Sequence, residues 1–172
     1  MRIGILTVSD ACSRRERADL SGDAIASWAR KRGYVVAARE VVPDERALIA
    51  SRLVEWCDAD AADVVLTTGG TGLSPRDVTP EATGAVLQRE APGIAERLRW
   101  TAMAAFPRAA LSRGLAGVRA KTLVINLPGS PGGVRDGLTS LEPIVDHAVQ
   151  ILRGLPADHG APGSQSDIAH PA

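Results

Sequence analysis

The chain has 172 residues, 45% of them apolar, enough for one domain that buries its own core without disulfide or structural-metal support. Twenty Lys plus Arg against twenty Asp plus Glu leave no net charge, which excludes a general electrostatic binder of nucleic acid or anionic membrane. No run approaches the roughly 18 apolar residues of a membrane span, the opening run lacks a cleavage site, and Cys12 and Cys57 stand in no CxxC pattern. The expectation is a soluble, cytoplasmic protein with reduced thiols, no nucleic-acid partner, no membrane partner and a small ligand.

Arg2–Val8, rich in Ile, Leu and Val, has the length and composition of a buried first strand. Residues 21–32 predict a helix, with Ser21 as its cap and Gly33 in the left-handed position that ends it. Residues 34–42 predict a second strand stopped by Pro43, and residues 45–58 a helix with Ile49, Leu53 and Trp56 at helical spacing. A third strand is expected over 62–67. Thr79, Pro80 and Glu81 then give a capping hydroxyl, a first-turn proline and a carboxylate at the positive helix end, predicting a helix to about Glu90. A further helix over 93–105 offers Ile94, Leu98 and Trp100 or Met103 to the core and ends at Pro107. Residues 115–120 and 121–127 predict two strands. Val134, Leu138, Leu141, Val145, Ala148 and Leu152 form one helical stripe, bent or split at Pro143. Pro, Gly, Ser and Ala dominate from 156 on, so 1–155 is expected to be the domain and 156–172 a disordered tail.

Strands alternating with helices predict an α/β fold, a mostly parallel sheet covered on both faces, whose ligands bind beyond the carboxyl ends of the strands. Four loops leave such ends: Ser9-Asp10, Pro43-Asp44-Glu45, residues 67–77, and Pro128-Gly129-Ser130-Pro131. The strongest signal is Thr68-Gly69-Gly70-Thr71-Gly72, where glycine backbone can approach an anion and offer successive N–H groups; a tight turn with no ligand is the alternative. A Walker A loop is excluded, since no Gly-Lys-Ser/Thr tripeptide occurs, and a dinucleotide fingerprint fails at Pro75. Asp44 and Asp77 could together hold Mg²⁺ beside substrate phosphates. On the residues alone the commoner readings are a helix cap for Asp44 and a turn residue for Asp10. Arg76 and Arg135 are phosphate-binding candidates or solvated surface arginines. Arg14, Arg15 and Arg17, with Glu16 and Asp19, form a polar loop able to close over a ligand, and nothing supports a histidine base or a serine triad.

Taken in order, Leu6-Thr7-Val8-Ser9-Asp10, Ser21-Gly22-Asp23, Val42-Pro43-Asp44-Glu45, residues 66–72, Arg76-Asp77-Val78-Thr79-Pro80-Glu81-Ala82, Leu111-Ser112-Arg113 and Asn126-Leu127-Pro128-Gly129-Ser130-Pro131 resemble one family. It is the molybdopterin adenylyltransferases and related molybdopterin-binding proteins of the MogA and MoaB type, including the G domain of gephyrin. The resemblance covers residues 2 to about 154. It implies a three-layer α-β-α fold, usually in a homotrimer, with the glycine loop and the Pro128, Gly129 and Ser130 loop binding the pterin and its phosphate; Ser9 and Asp10 join them as substrate-binding candidates. It implies catalytic and Mg²⁺-binding roles for Asp44 and Asp77, molybdopterin and ATP as substrates, and hand-over to a molybdenum-insertion protein. The implied reaction moves AMP from Mg-ATP to the molybdopterin phosphate, releasing pyrophosphate. The alternative within the family is a molybdopterin-binding protein without catalysis. One departure stands out: many relatives carry lysine after Pro131, where this chain has Gly132 and Gly133, leaving Arg135 to compensate.

Overall fold

In the computed structural model, residues 1–155 are described, so the expected tail at 156–172 lies outside them. Among these residues six strands form one sheet: β1 (Arg2–Val8), β2 (Val35–Val42), β3 (Val64–Thr68), β4 (Arg89–Glu90), β5 (Ala116–Arg119) and β6 (Thr122–Leu127), in the order β2-β1-β3-β6-β5-β4. The first four in that order run parallel, while β5 and β4 run antiparallel at one edge. The helices are α1 (Asp10–Ser13), α2 (Leu20–Lys31), α3 (Arg46–Asp58), α4 (Thr79–Gly84), α5 (Pro92–Met103), α6 (Pro131–Leu141) and α7 (Val145–Arg153), with a 3₁₀ turn at Pro107–Leu111.

Because successive strand side chains point to opposite faces, each strand feeds two cores. Ile3 and Ile5 of β1, Val64 and Leu66 of β3 and Leu123, Ile125 and Leu127 of β6 pack against α2, α5, α6 and α7. Leu6, Val8, Val65 and Val124 pack on the other face against Ile49, Leu53 and Trp56 of α3 and Ala82 of α4. That is the expected three-layer arrangement. The near-continuous apolar runs of β1, β3 and β6 follow from burial on both faces.

Several local expectations are corrected. Asp19, not Ser21, caps α2, its carboxylate accepting from the Gly22 N–H at 2.8 Å; Gly33 does take φ +72° after that helix. Thr79 does not cap α4: Val78 holds the cap position without a side-chain bond. That helix stops at Gly84 rather than near Glu90, since residues 89–90 are drawn into the antiparallel edge by pairing with β5. Trp100, expected as a core candidate, is 78% exposed, and Ala95 is the fully packed residue of α5. Pro143 splits the last helical stripe into α6 and α7.

The register levels the strand ends. Val8 pairs with Val42, Thr7 with Thr68, and Thr68 with Leu127, so the loops after β1, β2, β3 and β6 start at one height. The chain leaves β1 to one side toward β2 and returns on the other as β3, which places a topological switch point between the first and third of these loops.

Candidate active site

The glycine loop begins where β3 ends. Gly69 has φ +98° and Gly70 φ +63°, and a Cβ on Gly69 would run into the Val8 carbonyl oxygen at the end of β1. Only glycine therefore lets the two strand ends meet so closely. The loop's carbonyls are held from beneath by Thr79, whose hydroxyl donates to Gly69 O at 2.9 Å and whose N–H donates to Gly70 O at 3.1 Å. The Gly69 N–H donates to Leu127 O, whereas among the described residues the N–H groups of Gly70, Thr71 and Gly72 donate to no protein acceptor. The anion-facing part of the cradle is thus 70–72, with Gly69 as its hinge.

The Pro128-Gly129-Ser130 loop lies against it. The Thr68 hydroxyl donates to Pro128 O at 2.6 Å, and the Ser21 hydroxyl, released from the capping role expected of it, donates to Gly129 O at 2.8 Å. Ser130 caps α6 by accepting from the Gly133 N–H at 3.1 Å. Arg113 braces the opposite side: its Nε donates to Gly72 O at 2.7 Å, its Nη2 to Asp77 O at 2.6 Å, and it pairs with Glu81. That brace was hidden in the sequence, because an Arg 36 residues from Asp77 carries no local signal of contact.

Asp44 does not cap α3, whose cap position is Glu45. Its Oδ2 accepts from the Asp10 N–H at 2.8 Å, and Asp10 Oδ1 accepts from the Asp44 N–H at 3.1 Å, so the loops after β1 and β2 grip each other. Arg76 closes the ring, with Nη2 at 2.8 Å from both Asp10 carboxylate oxygens. Asp77 Oδ2 accepts from the Ser74 N–H at 2.8 Å. Asp44 and Asp77 make no ion pair among the described residues. Burial pushes the Asp44 carboxyl above its ordinary range, partly offset by the Asp10 N–H and reinforced by the Asp10 and Asp77 charges. The Arg76 guanidinium holds Asp10 below its ordinary range.

Two cavities open on these loops. One, of about 520 Å³, is lined by Ser9, Arg17, Asp19, Ser21, Asp44, Thr68, Gly69 and others; the second, of about 620 Å³, by Thr71, Gly72, Leu98, Ala102, Phe106, Leu111, Ser112, Pro128 and others. Gly70, Asp77, Gly129 and Ser130 line both. The residues singled out as binding or catalytic candidates reach one cavity or the other except Asp10, Arg76 and Arg135; the Asp10 carboxylate is occupied by Arg76 and the Asp44 N–H. The apolar wall from α5 and the 3₁₀ turn was not legible in advance: Leu98 read as core-facing, and Ala102 and Phe106 carried no signal of a site. Asp44 and Asp77 fit a hard cation by chemistry, offering oxygen donors with no cation partner. No group of three or more His, Cys, Asp or Glu clusters as a metal set among the described residues, so phosphate and water oxygens would complete the shell.

Residues 4–147 match the family described as a probable molybdopterin binding domain. The chain is 42% identical over 158 residues to the molybdopterin adenylyltransferase of Helicobacter pylori, spanning 90% of this chain and 89% of that protein. It is 38% identical over 169 residues to the molybdopterin adenylyltransferase of Escherichia coli, spanning 90% and 86%. Among solved structures, the molybdopterin biosynthesis enzyme MoaB of Thermus thermophilus superposes with a TM-score of 0.85 at 49% identity, covering 91% of this chain and 99% of that one. With a match across most of its length and the strand-end loops assembled as described, this chain belongs to the molybdopterin-binding domain family of MogA and MoaB type.

Proposed function

We propose that this chain is a molybdopterin adenylyltransferase of molybdenum-cofactor biosynthesis, using Mg-ATP and molybdopterin as substrates. The observation that carries the reading is the pair of cavities with a common wall at Gly70, Asp77, Gly129 and Ser130. Two substrates that must exchange a phosphoryl-linked group need separate pockets whose phosphate ends meet, and both volumes lie in the range of small-molecule sites. The wall is built from groups suited to that junction: unpaired backbone N–H groups, a serine hydroxyl and a carboxylate.

An oxygen of the molybdopterin phosphate attacks the α-phosphorus of ATP, a new P–O–P bond forms, and the bond from the α-phosphorus to the bridging oxygen breaks, releasing pyrophosphate. The N–H groups of 70–72 orient the phosphate oxygens and meet charge that develops on them. Asp44 and Asp77 would hold Mg²⁺, which supplies charge to the leaving pyrophosphate. Asp10 and Arg76 keep the Asp44 and Asp77 loops together. The protein's contribution is mainly position and charge.

The finer parts of the reading are a homotrimer acting in the cytoplasm and passing its product to a molybdenum-insertion protein. Exposed Trp100, Phe106 and Leu111 offer apolar surface of the kind subunit contacts cover, and among the described residues no helix is long and apolar enough to cross a membrane. The test is pyrophosphate release from Mg-ATP with and without molybdopterin, for the unmodified chain and for Asp44→Asn and Asp77→Asn. Molybdopterin-dependent release, lost in both variants, is the expected outcome. Tight molybdopterin binding without release would make this a binding protein instead.

A further inference from the structure

We propose that Arg17 is the side chain through which this chain grips a substrate phosphate. The inference rests on the adenylyltransferase reading and adds a residue to it. Among the described residues, the polar cavity is lined by three carboxylates, Asp19, Asp44 and Asp77, and by a single cationic side chain, Arg17. With Asp19 paired to Arg39 and Asp44 and Asp77 the groups that would hold Mg²⁺, a phosphate oxygen on the Ser9 side of the cavity gains from a further local positive charge beside the backbone N–H groups.

The neighbouring arginines are already committed. Arg39 pairs with Asp19 at 2.7 Å and with Asp23 at 2.8 Å, Arg76 with Asp10, Arg14 with Glu16, and Arg113 with Glu81 and two carbonyls. Arg17 makes one hydrogen bond among the described residues, Nη2 to Ser9 Oγ at 3.2 Å, and no ion pair. That bond fixes the guanidinium at the end of β1, where Ser9 and the glycine loop line the same cavity. Its remaining donors form the planar fork that matches a pair of phosphate oxygens. Asp19 is neutralised by Arg39 and held by the Gly22 N–H and the Thr7 hydroxyl, so it does not draw Arg17 away. Arg15 makes no ion pair among the described residues either, but it does not line the cavity; of the loop from Arg14 to Asp19, Arg17 is the uncommitted arginine that reaches the cavity mouth.

The shared chemistry is a phosphate oxygen, which the nucleotide or the pterin could supply, and the experiment separates the two. Dissociation constants are measured by calorimetry for the Mg²⁺ complex of α,β-methylene-ATP and, separately, for molybdopterin. The proteins are the full chain, Arg17→Ala, Arg17→Lys and Arg14→Ala. Arg17→Ala is expected to weaken one of the two ligands on the order of 10-fold or more, and the affected ligand identifies the phosphate. Arg17→Lys should recover part of the loss, since it keeps the charge without the fork. Arg14→Ala, a charge removed from the same loop but outside the cavity, should leave both constants within roughly two-fold. Unchanged binding of both ligands by Arg17→Ala, or an equal loss in Arg14→Ala, overturns the assignment while the enzyme reading stands. Failure of the unmodified chain to bind either ligand removes the enzyme reading and this assignment with it. Unfolding temperatures of the variants, expected to match the unmodified chain at this exposed position, separate a binding loss from a folding loss.

Discussion

The two ends of the parallel sheet handle charge in opposite ways. At the amino end, Arg2 at the start of β1 and Arg153 at the end of α7 converge on Asp60 and Asp63: Arg2 Nη2 lies 3.1 Å from Asp60 Oδ1 and 2.9 Å from Asp63 Oδ1, and Arg153 Nη2 lies 2.6 Å from each. The Arg2 N–H adds a 2.6 Å bond to Asp63. At the carboxyl end, Asp44 and Asp77 are held by backbone N–H groups alone. A half-buried carboxylate without a cation weakens the fold, whereas one between two guanidiniums ties elements together. The amino end is consequently a clasp and the carboxyl end a site: the missing positive charge is what a bound cation would bring.

The largest expected effect is at the unpaired end. Asp44→Asn and Asp77→Asn should each lower molybdopterin-dependent pyrophosphate release by about 100-fold or more. Asp44→Asn should do so without lowering the unfolding temperature at neutral pH. Its folded pKa is raised, so the carboxyl contributes least to stability once the pH has risen past that value, and the neutral amide removes this cost. In acid, where both are uncharged, the difference should vanish. An Asp44→Asn protein equally destabilised at neutral and acid pH would break the contrast.

Next comes the clasp. Arg153→Ala should cost about 1–2 kcal/mol of stability by leaving Asp63 with Arg2 as its only guanidinium partner, yet leave pyrophosphate release intact. Denaturant titration and the release assay read the two sides, and a large loss of activity would show that the clasp is coupled to the site. The clasp also predicts acid sensitivity. Hydrogen bonding from Arg153, then Arg2, holds the Asp60 carboxyl down to about 2, and a depressed carboxylate contributes stability that is full above its unfolded pKa, near 4. The unfolding temperature should fall as pH drops from about 4 toward 2, less steeply in Arg153→Ala. Parallel curves would refute it.

The smallest effect on stability is expected at the ion pair bordering the site. Asp10–Arg76 has an arginine side chain 60% exposed, so Arg76→Ala should cost less than about 1 kcal/mol. Its weight should fall on activity, because it ties the loop carrying Asp77 to the one gripping Asp44. A charge-exchanged Asp10→Arg, Arg76→Asp protein that regained release lost in the single variants would support the tie. Equal release in all of them would dismiss it.

Much of this was legible in the chain itself. Alternation of β-branched runs with 3.6-residue stripes specified the α/β order, Pro43, Pro107 and Pro143 marked element boundaries, and the glycine loop was readable because glycine takes the positive-φ backbone of Gly69 and Gly70 without steric cost. These are local rules, decided by side-chain shape and backbone sterics within a few residues. The relation among strand-end loops was inferred from fold class, but its geometry was not. Ser21 and Thr79 looked like caps because a hydroxyl before a helix is a good local acceptor; in the fold each donates instead to a carbonyl of another loop, Gly129 O and Gly69 O. Arg76 could be read as a phosphate ligand or a solvated surface arginine, and in the fold its partner is Asp10, 66 residues away.

The tertiary structure alone decided which charges are paired. An arginine's side chain reaches whatever carboxylate the packing brings near, and that depends on strand order and register, which bring the ends at Val8, Val42, Thr68 and Leu127 within one residue of the same height. It also decided that two cavities share a wall, since Leu98 and Phe106 come to the site only when α5 and the 3₁₀ turn fold back along the sheet. The sequence by itself determined the elements and the residue types at the strand ends, because those follow from local conformation and hydrophobic period. Which of them pair with each other and which remain open to a ligand was set by contacts between residues distant in the chain, whose formation no local preference encodes.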